Sequence, residues 1–497
     1  MDPAGYLGPV SDLLLRHVRL VPVAPGDVAP PAPVDVLIRG GRIAAVAEQL
    51  TRPEGVEEYD AAGRWLAPGL WDHHVHLGQW SLATQRTDTS AVRSSAQMVA
   101  LVADLVATDP GTPVIGWGHR PASWDHEGTV HDLDEVSGIT PVLLVSGDCH
   151  HAWLNSAALA ALDLPPRSGV VAETEWFDAY SRLQRITADS GTDDYRAALH
   201  RAAAMGVVGL VDFEFVGDLD SWRERWADGC DLLRIRTATY ADGLEAVIAE
   251  GLQSGDPLVP GDDRLVMGPL KIISDGSLNT RTAWCQEHYT HGALPEHPAG
   301  APNLSGPELT YLLARAHAHG LEVATHAIGD AALAQALSSY TTTGARGSIE
   351  HVQLMRPEQA HQIARLDLRA SVQPHHMVDD RDLVELTWAD RSDRAFAYGW
   401  LRDAGARLHL GSDAPVSPLD PWLAIDSAVR RTGDERPAWH PEHALTRPQA
   451  FAASVDGQPM VRVDGRGDVV LLDEDPREHP APPVVLTVVA GRVVHRA

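Results

Sequence analysis

Apolar positions along this chain fall into two textures. Residues 13–21, 34–38 and 42–46 are short alternating or continuous apolar runs, and Gly40-Gly41 makes a turn between the last two. The C-terminal end has the same character: residues 467–473 and 484–494 read as strands, the second folded back at Ala490-Gly491. Two β-rich ends flanking a different middle predict one small β-sandwich assembled from both termini, residues 1–66 plus 460–497.

From residue 67 the pattern changes to apolar strand runs separated by helical stretches, the signature of a parallel α/β architecture. Eight runs fit a (β/α)8 barrel over 67–459: 66–76, 207–213, 234–240, 269–274, 322–326, 348–352, 369–373 and 407–412. Several follow an Ala-rich helix that stops at glycine, as at Gly320 and Gly405. An insertion of about 120 residues, roughly 78–200, separates the first two strands, far beyond ordinary loop length. It carries its own strand candidates at 114–117 and 142–145. Insertions at the C-terminal ends of barrel strands shape the substrate pocket, so specificity is expected there.

Composition narrows the class. Apolar content of 44% and charged content of 22% are those of an ordinary globular protein, and 497 residues suffice for a large core. The net charge of -28 opposes binding to nucleic acid or anionic membranes. Cys149, Cys230 and Cys285 are scattered and odd in number, so a reducing cytoplasm is the expectation. No leader pattern is visible at Met1–Tyr6, and no apolar run reaches membrane-spanning length.

The count that changes the picture most is lysine. Of 40 Lys plus Arg, one is lysine, Lys271. Arginine therefore serves wherever a cation suffices, and Lys271 marks a place where it does not. Guanidinium stays protonated, whereas a buried lysine can lose its proton and act as a neutral amine. Such an amine reacts with carbon dioxide to give a carbamate, an anionic ligand able to bridge two metal ions.

Twenty-five histidines are the second resource. His74 and His76 close the first barrel strand, where residues two apart share a face and can grip one cation. About one His-x-His is expected by chance in such a chain. The chain supplies a decoy, His317-Ala-His319, on a predicted helix where positions two apart diverge. Context separates the two pairs. Lys271 lies on the fourth strand, His326 ends the fifth, His351 the sixth, and Asp413 follows the eighth. Six such groups at one end of one barrel point to the face where these barrels hold their active sites.

The order His74-x-His76, Lys271, His326, His351, Asp413 resembles the metal-dependent amidohydrolase superfamily, which includes dihydroorotase, dihydropyrimidinase and urease. The nearer resemblance is to its family 3, the branch of N-substituted formamide deformylase-like enzymes. It is carried by Asp72-His-His-Val-His76, Ser146-Gly-Asp-Cys-His150, Lys271-Ile-Ile-Ser-Asp-Gly-Ser-Leu278, Thr325-His-Ala-Ile-Gly-Asp330, Ile349-Glu-His-Val-Gln353 and Gly411-Ser-Asp-Ala-Pro415. It runs from about residue 12 to the C-terminus. Departures are Cys149 where the family usually has glycine, the paired histidines at 150/151 and 375/376, and a short segment before Gly467. None removes a metal ligand.

The resemblance implies two divalent ions, most often zinc. His74, His76 and Asp413 would hold one, His326 and His351 the other, with carbamylated Lys271 as the bridge. Water shared by two such ions becomes a hydroxide nucleophile near neutral pH. Asp413 would take its proton and pass it to the departing amine. His150 could donate a hydrogen bond to the oxyanion, and Arg281 could bind a polar end of the substrate. Trp117, Trp124 and Trp153 are candidates for an apolar pocket wall, while Asp275 and Asp330 orient ligands or cap turns. The implied reaction is hydrolysis of a C–N bond, a linear amide or formamide before a ring, in a small molecule. A one-metal deaminase using His74, His76, His326 and Asp413, a phosphotriesterase-like hydrolase and a catalytically silent interaction protein remain alternatives on the same barrel. Relatives are often dimers, so a homodimer is expected.

Overall fold

The computed structural model describes residues 12–83, 86–121, 124–126, 128–180, 182–183, 191–215 and 219–497. The Met1–Tyr6 segment read for a leader lies outside them, as do short stretches of the insertion. Eight parallel strands form the barrel: β1 (Leu70–Val75), β2 (Val207–Asp212), β3 (Arg234–Thr239), β4 (Asp262–Ile273), β5 (Val323–Ala327), β6 (Gly347–His351), β7 (Arg369–Val372) and β8 (Arg407–Leu410). Each pairs with its sequence neighbour, and helices fill most connections. The seam between β8 and β1 is closed just past the strand ends. There the Asp413 N–H donates to His74 O at 2.7 Å and the His76 N–H to Ala414 O at 2.9 Å. The (β/α)8 expectation is met.

Two strand limits differ from the sequence reading by more than two residues, each for a local reason. Residues 66–76 are not one strand, because the chain breaks at Gly69. A Cβ there would lie 2.1 Å from Val208 Cγ1, so only glycine lets β2 approach. The piece before the break, Trp65–Pro68, belongs to the terminal sheet. The fourth strand starts at Asp262 rather than 269, since its first half takes Pro257–Val259 as an antiparallel partner that no apolar run announces.

Helix limits follow the sequence signals closely. The helix Gly306–Ala318 opens on a Ser305/Glu308 capping box with Pro307 in its first turn. Gly320 follows it at φ +76, a left-handed position where glycine costs nothing. His317 is exposed on this helix and His319 turns to Arg315 at 2.7 Å, so the decoy pair forms no site.

Both termini build one eight-stranded sheet in the order Arg492–Arg496, Val484–Val489, Val469–Leu472, Trp65–Pro68, Leu13–Leu20, Val34–Arg39 and Arg42–Ala47, with Glu57–Asp60 added beside Leu13–Leu20. Leu13–Leu20 joins its two halves: a bulge between Leu15 and Val18, with His17 at φ +52, redirects the strand from one set of partners to the other. Leu13, Val36 and Ile38 of one half then share a core with Leu66, Val469 and Leu486 of the other. The insertion folds as a second α/β layer. Its five strands run in the order Val171–Ala172, His151–Leu154, Val142–Ser146, Val114–His119 and Thr87–Asp88. No helix among the described residues is long and apolar enough to cross a membrane.

Candidate metal centre

Strand register brings the expected ligands to one end of the barrel. Ile273 pairs with His326, and Ala327 with His351, which places Lys271, His326 and His351 on three adjacent strands. His74 lies in β1 and His76 one residue beyond it. His351 at φ +72 and Asp413 at φ +59 occupy left-handed backbone positions, which His and Asp adopt more readily than most side chains.

The side chains converge. Asp413 Oδ1 lies 3.4 Å from His74 Nε2 and 3.2 Å from His76 Nε2. Lys271 Nζ lies 3.2 Å from the same His74 nitrogen and 4.3 Å above the Phe213 ring. The His326 and His351 rings meet edge to face at 4.4 Å, and His351 lies 5.0 Å from His74. All six groups are buried, and all six line one small chamber of about 30 Å³.

Burial sets the protonation states. It drives His74, His326 and His351 well below the usual histidine range, with Lys271 adding to the effect, so these imidazoles are neutral and offer lone pairs. Burial also lowers the Lys271 amine to about 8, against the opposing pull of Glu350 and Asp413. Asp413 resists its own burial because His76 hydrogen-bonds to it, and stays below the usual carboxyl value. Neutral imidazoles, an ionised carboxylate and an amine that burial makes easier to deprotonate make a donor set suited to divalent cations. The buried Nδ1 atoms of His76 and His351 lack any hydrogen-bond partner, an expense that a ligand or water would relieve.

A second ring of residues fixes the first. Glu350 Oε2 accepts from His74 Nδ1 at 2.7 Å, which directs Nε2 into the chamber. His326 donates from Nε2 to Gly276 O at 3.3 Å, leaving its other nitrogen. Asp275 takes the Ile328, Gly329 and Trp284 N–H groups and lies 3.4 Å from His326, the orienting role expected for it. Asp330 accepts from Gln286 N–H at the start of the helix Asp330–Thr343. His150 reaches the chamber from the insertion. Burial opposes its charge, but Glu173 at 3.0 Å overcomes this and carries the imidazolium up to about 9.

Not every expected residue arrives. Trp117 lines an outer cavity of about 960 Å³ above the chamber. Trp153 does not: it is 1% exposed, packs with Met98 and Leu133 in the insertion core, and donates from Nε1 to Thr129 O. Trp124 packs against it edge to face. Arg281 turns at φ +59 over Gly292 and lines neither chamber nor cavity. The guanidinium at the neck is that of Arg120, held by Asp379 at 2.8 Å and Asp380 at 3.5 Å. Sequence reasoning also passed over Glu350, Asn279 and the role of His376. Glu350 stood inside a quoted motif, next to His351, but its partner is 276 positions away.

Known proteins resemble this chain in sequence and fold. The amidohydrolase family model matches residues 57–495. Protein LONG AFTER FAR-RED 3 of Arabidopsis thaliana is 29% identical over 91% of this chain and 83% of its own length. N-substituted formamide deformylase of Arthrobacter pascens is 23% identical over 89% and 90%. Among solved structures, an uncharacterized metal-dependent hydrolase from Pyrococcus horikoshii superposes with a TM-score of 0.75 at 24% identity, covering 95% of this chain and 99% of its own. With the barrel, the ligand order and a family match across most of its length, this chain belongs to the amidohydrolase family.

Proposed function

We propose that this protein hydrolyses a carbon–nitrogen bond, a linear amide or formamide, in a small molecule, using two divalent ions with zinc the expected metal. His74, His76 and Asp413 would hold one, His326 and His351 the other, and Lys271 as its carbamate would lie between them. The observation that carries this reading is the convergence of His74 and His76 on one oxygen of Asp413, with Lys271 Nζ 3.2 Å from His74. The formamide substrate named for one relative supports the choice of bond. When bound, such ions polarise a carbonyl and bring the pKa of water near neutrality.

The chain's own groups do the rest. Asp413 is ionised and accepts a proton from the attacking water at its carboxylate, then returns it to the departing amine. The His150 imidazolium, fixed by Glu173, donates to the oxygen that gains charge as the carbonyl becomes tetrahedral. Phe213 and Phe215 pack on the ligand rings and keep bulk water from the imidazoles. Substrate enters from the outer cavity past Arg120, Asn279 and Val416, which line both that cavity and the inner space.

The test is a panel of N-formyl and N-acyl amines offered to zinc- or manganese-reconstituted protein. Amine release is expected, and Asp413→Asn should lower its kcat by about 100–10,000-fold. Release that survives this substitution at full rate would contradict the assignment.

A further inference from the structure

We propose that His376 is an additional metal-binding imidazole, placed beside His351 at the second metal position. This rests on the metal-dependent reading above. The seventh barrel strand otherwise supplies no ligand. His376 lies directly after it, in the first turn of the helix Pro374–Thr387. Its Nε2 is buried, has no hydrogen-bond partner, and lies 3.8 Å from Asp413 Oδ2. The other oxygen, Oδ1, is the one that faces His74 and His76.

The donor atoms of His351, His376 and Asp413 all lie within 4.8 Å of one another, as do those of His74, His76 and Asp413. Among the described residues His326 belongs to no such group of three. Its Nε2 is engaged with Gly276 O, which leaves Nδ1 as the nitrogen it could offer, and His376 adds a further imidazole beside His351. The His376 and His351 rings lie nearly parallel, 15° apart with centroids at 6.1 Å, and Gln353 Nε2 at 3.5 Å borders the far nitrogen of His376. Three protein donors are the usual complement of a catalytic zinc.

Metal-free protein is titrated with zinc at buffered free concentrations, with bound metal counted by elemental analysis, and again with cobalt(II) followed by its visible absorption. Wild type, His376→Ala, His376→Gln and the neighbouring control His375→Gln are compared, with circular dichroism checking the fold. Both His376 variants should keep one tight equivalent and bind the second at least about tenfold more weakly, with a changed cobalt spectrum. His375, whose ring faces Ser427 at 3.1 Å, should behave as wild type. If alanine unfolds the chain, glutamine reads the same affinity with the volume kept. Two equivalents bound by both folded variants with wild-type affinity and spectrum would overturn the proposal. That would hold even if turnover fell, since His376 would then position substrate. A wild-type protein that binds no metal would overturn the metal-dependent reading itself, and this inference with it.

Discussion

Lys271 is 2% exposed, with its amine against an imidazole nitrogen and an aromatic face rather than a paired carboxylate. Burying an ammonium in that way is costly, and the pKa near 8 records the cost. The neutral amine is the form that adds carbon dioxide. Lys271→Ala should therefore lower kcat by roughly 100-fold or more and regain part of it with short carboxylic acids, measured on the best substrate of the panel. Lys271→Arg should gain nothing from the acids, because a permanent cation would sit against the metal positions. Full activity in the arginine variant would end the bridging role. At this scale the sequence was informative because the unique lysine and the strand-end histidines are visible one by one. It was silent where a role depends on a distant partner, as for Glu350 under His74 and His376 beside Asp413.

Elements place these residues, and the terminal sheet shows how an element is held by a single side chain. Asp35 in Val34–Arg39 is 1% exposed and accepts from Leu50 N–H, the Arg16 guanidinium and His17 N–H. Burial pushes its carboxyl up, but these donors outweigh burial and hold it below the ordinary value. The stabilisation is therefore complete above the unfolded carboxyl pKa of about 3.9. It is lost as pH falls through the lower folded value. Denaturant titrations across that acid range should show wild-type stability falling more steeply than that of Asp35→Asn. At pH 7, Asp35→Ala should cost about 1–3 kcal/mol through its stranded donors. Equal slopes would show that Asp35 contributes nothing to the acid limb. The strands and helix stops were legible because their apolar runs and glycines act locally. The break at Gly69 and the early start of β4 were not, since each is set by a partner strand rather than by the run itself.

For the whole molecule, the barrel and terminal sheet are joined by a buried ion pair. Arg234 Nε, at the start of β3, lies 2.6 Å from Asp468 Oδ2, and Asp468 Oδ1 accepts the Ala490 N–H. Asp468 is fully buried. Removing it with Asp468→Ala leaves a guanidinium short of its partner and should cost about 3–5 kcal/mol in denaturant unfolding. A change under 1 kcal/mol, roughly the worth of an exposed pair, would mean that water already reaches this joint. At this scale the likeness in motif order foretold the barrel, and the six residues it picks out line one chamber at its end. Trp153 packs into the insertion core and Arg281 lies against Gly292, because a motif fixes sequence order but not which way a side chain turns. Elemental analysis and intact mass on one sample of purified protein test the central claim most directly. The account predicts two divalent ions per chain and the added mass of one carbon dioxide on Lys271, while an unmodified chain with at most one ion would contradict it.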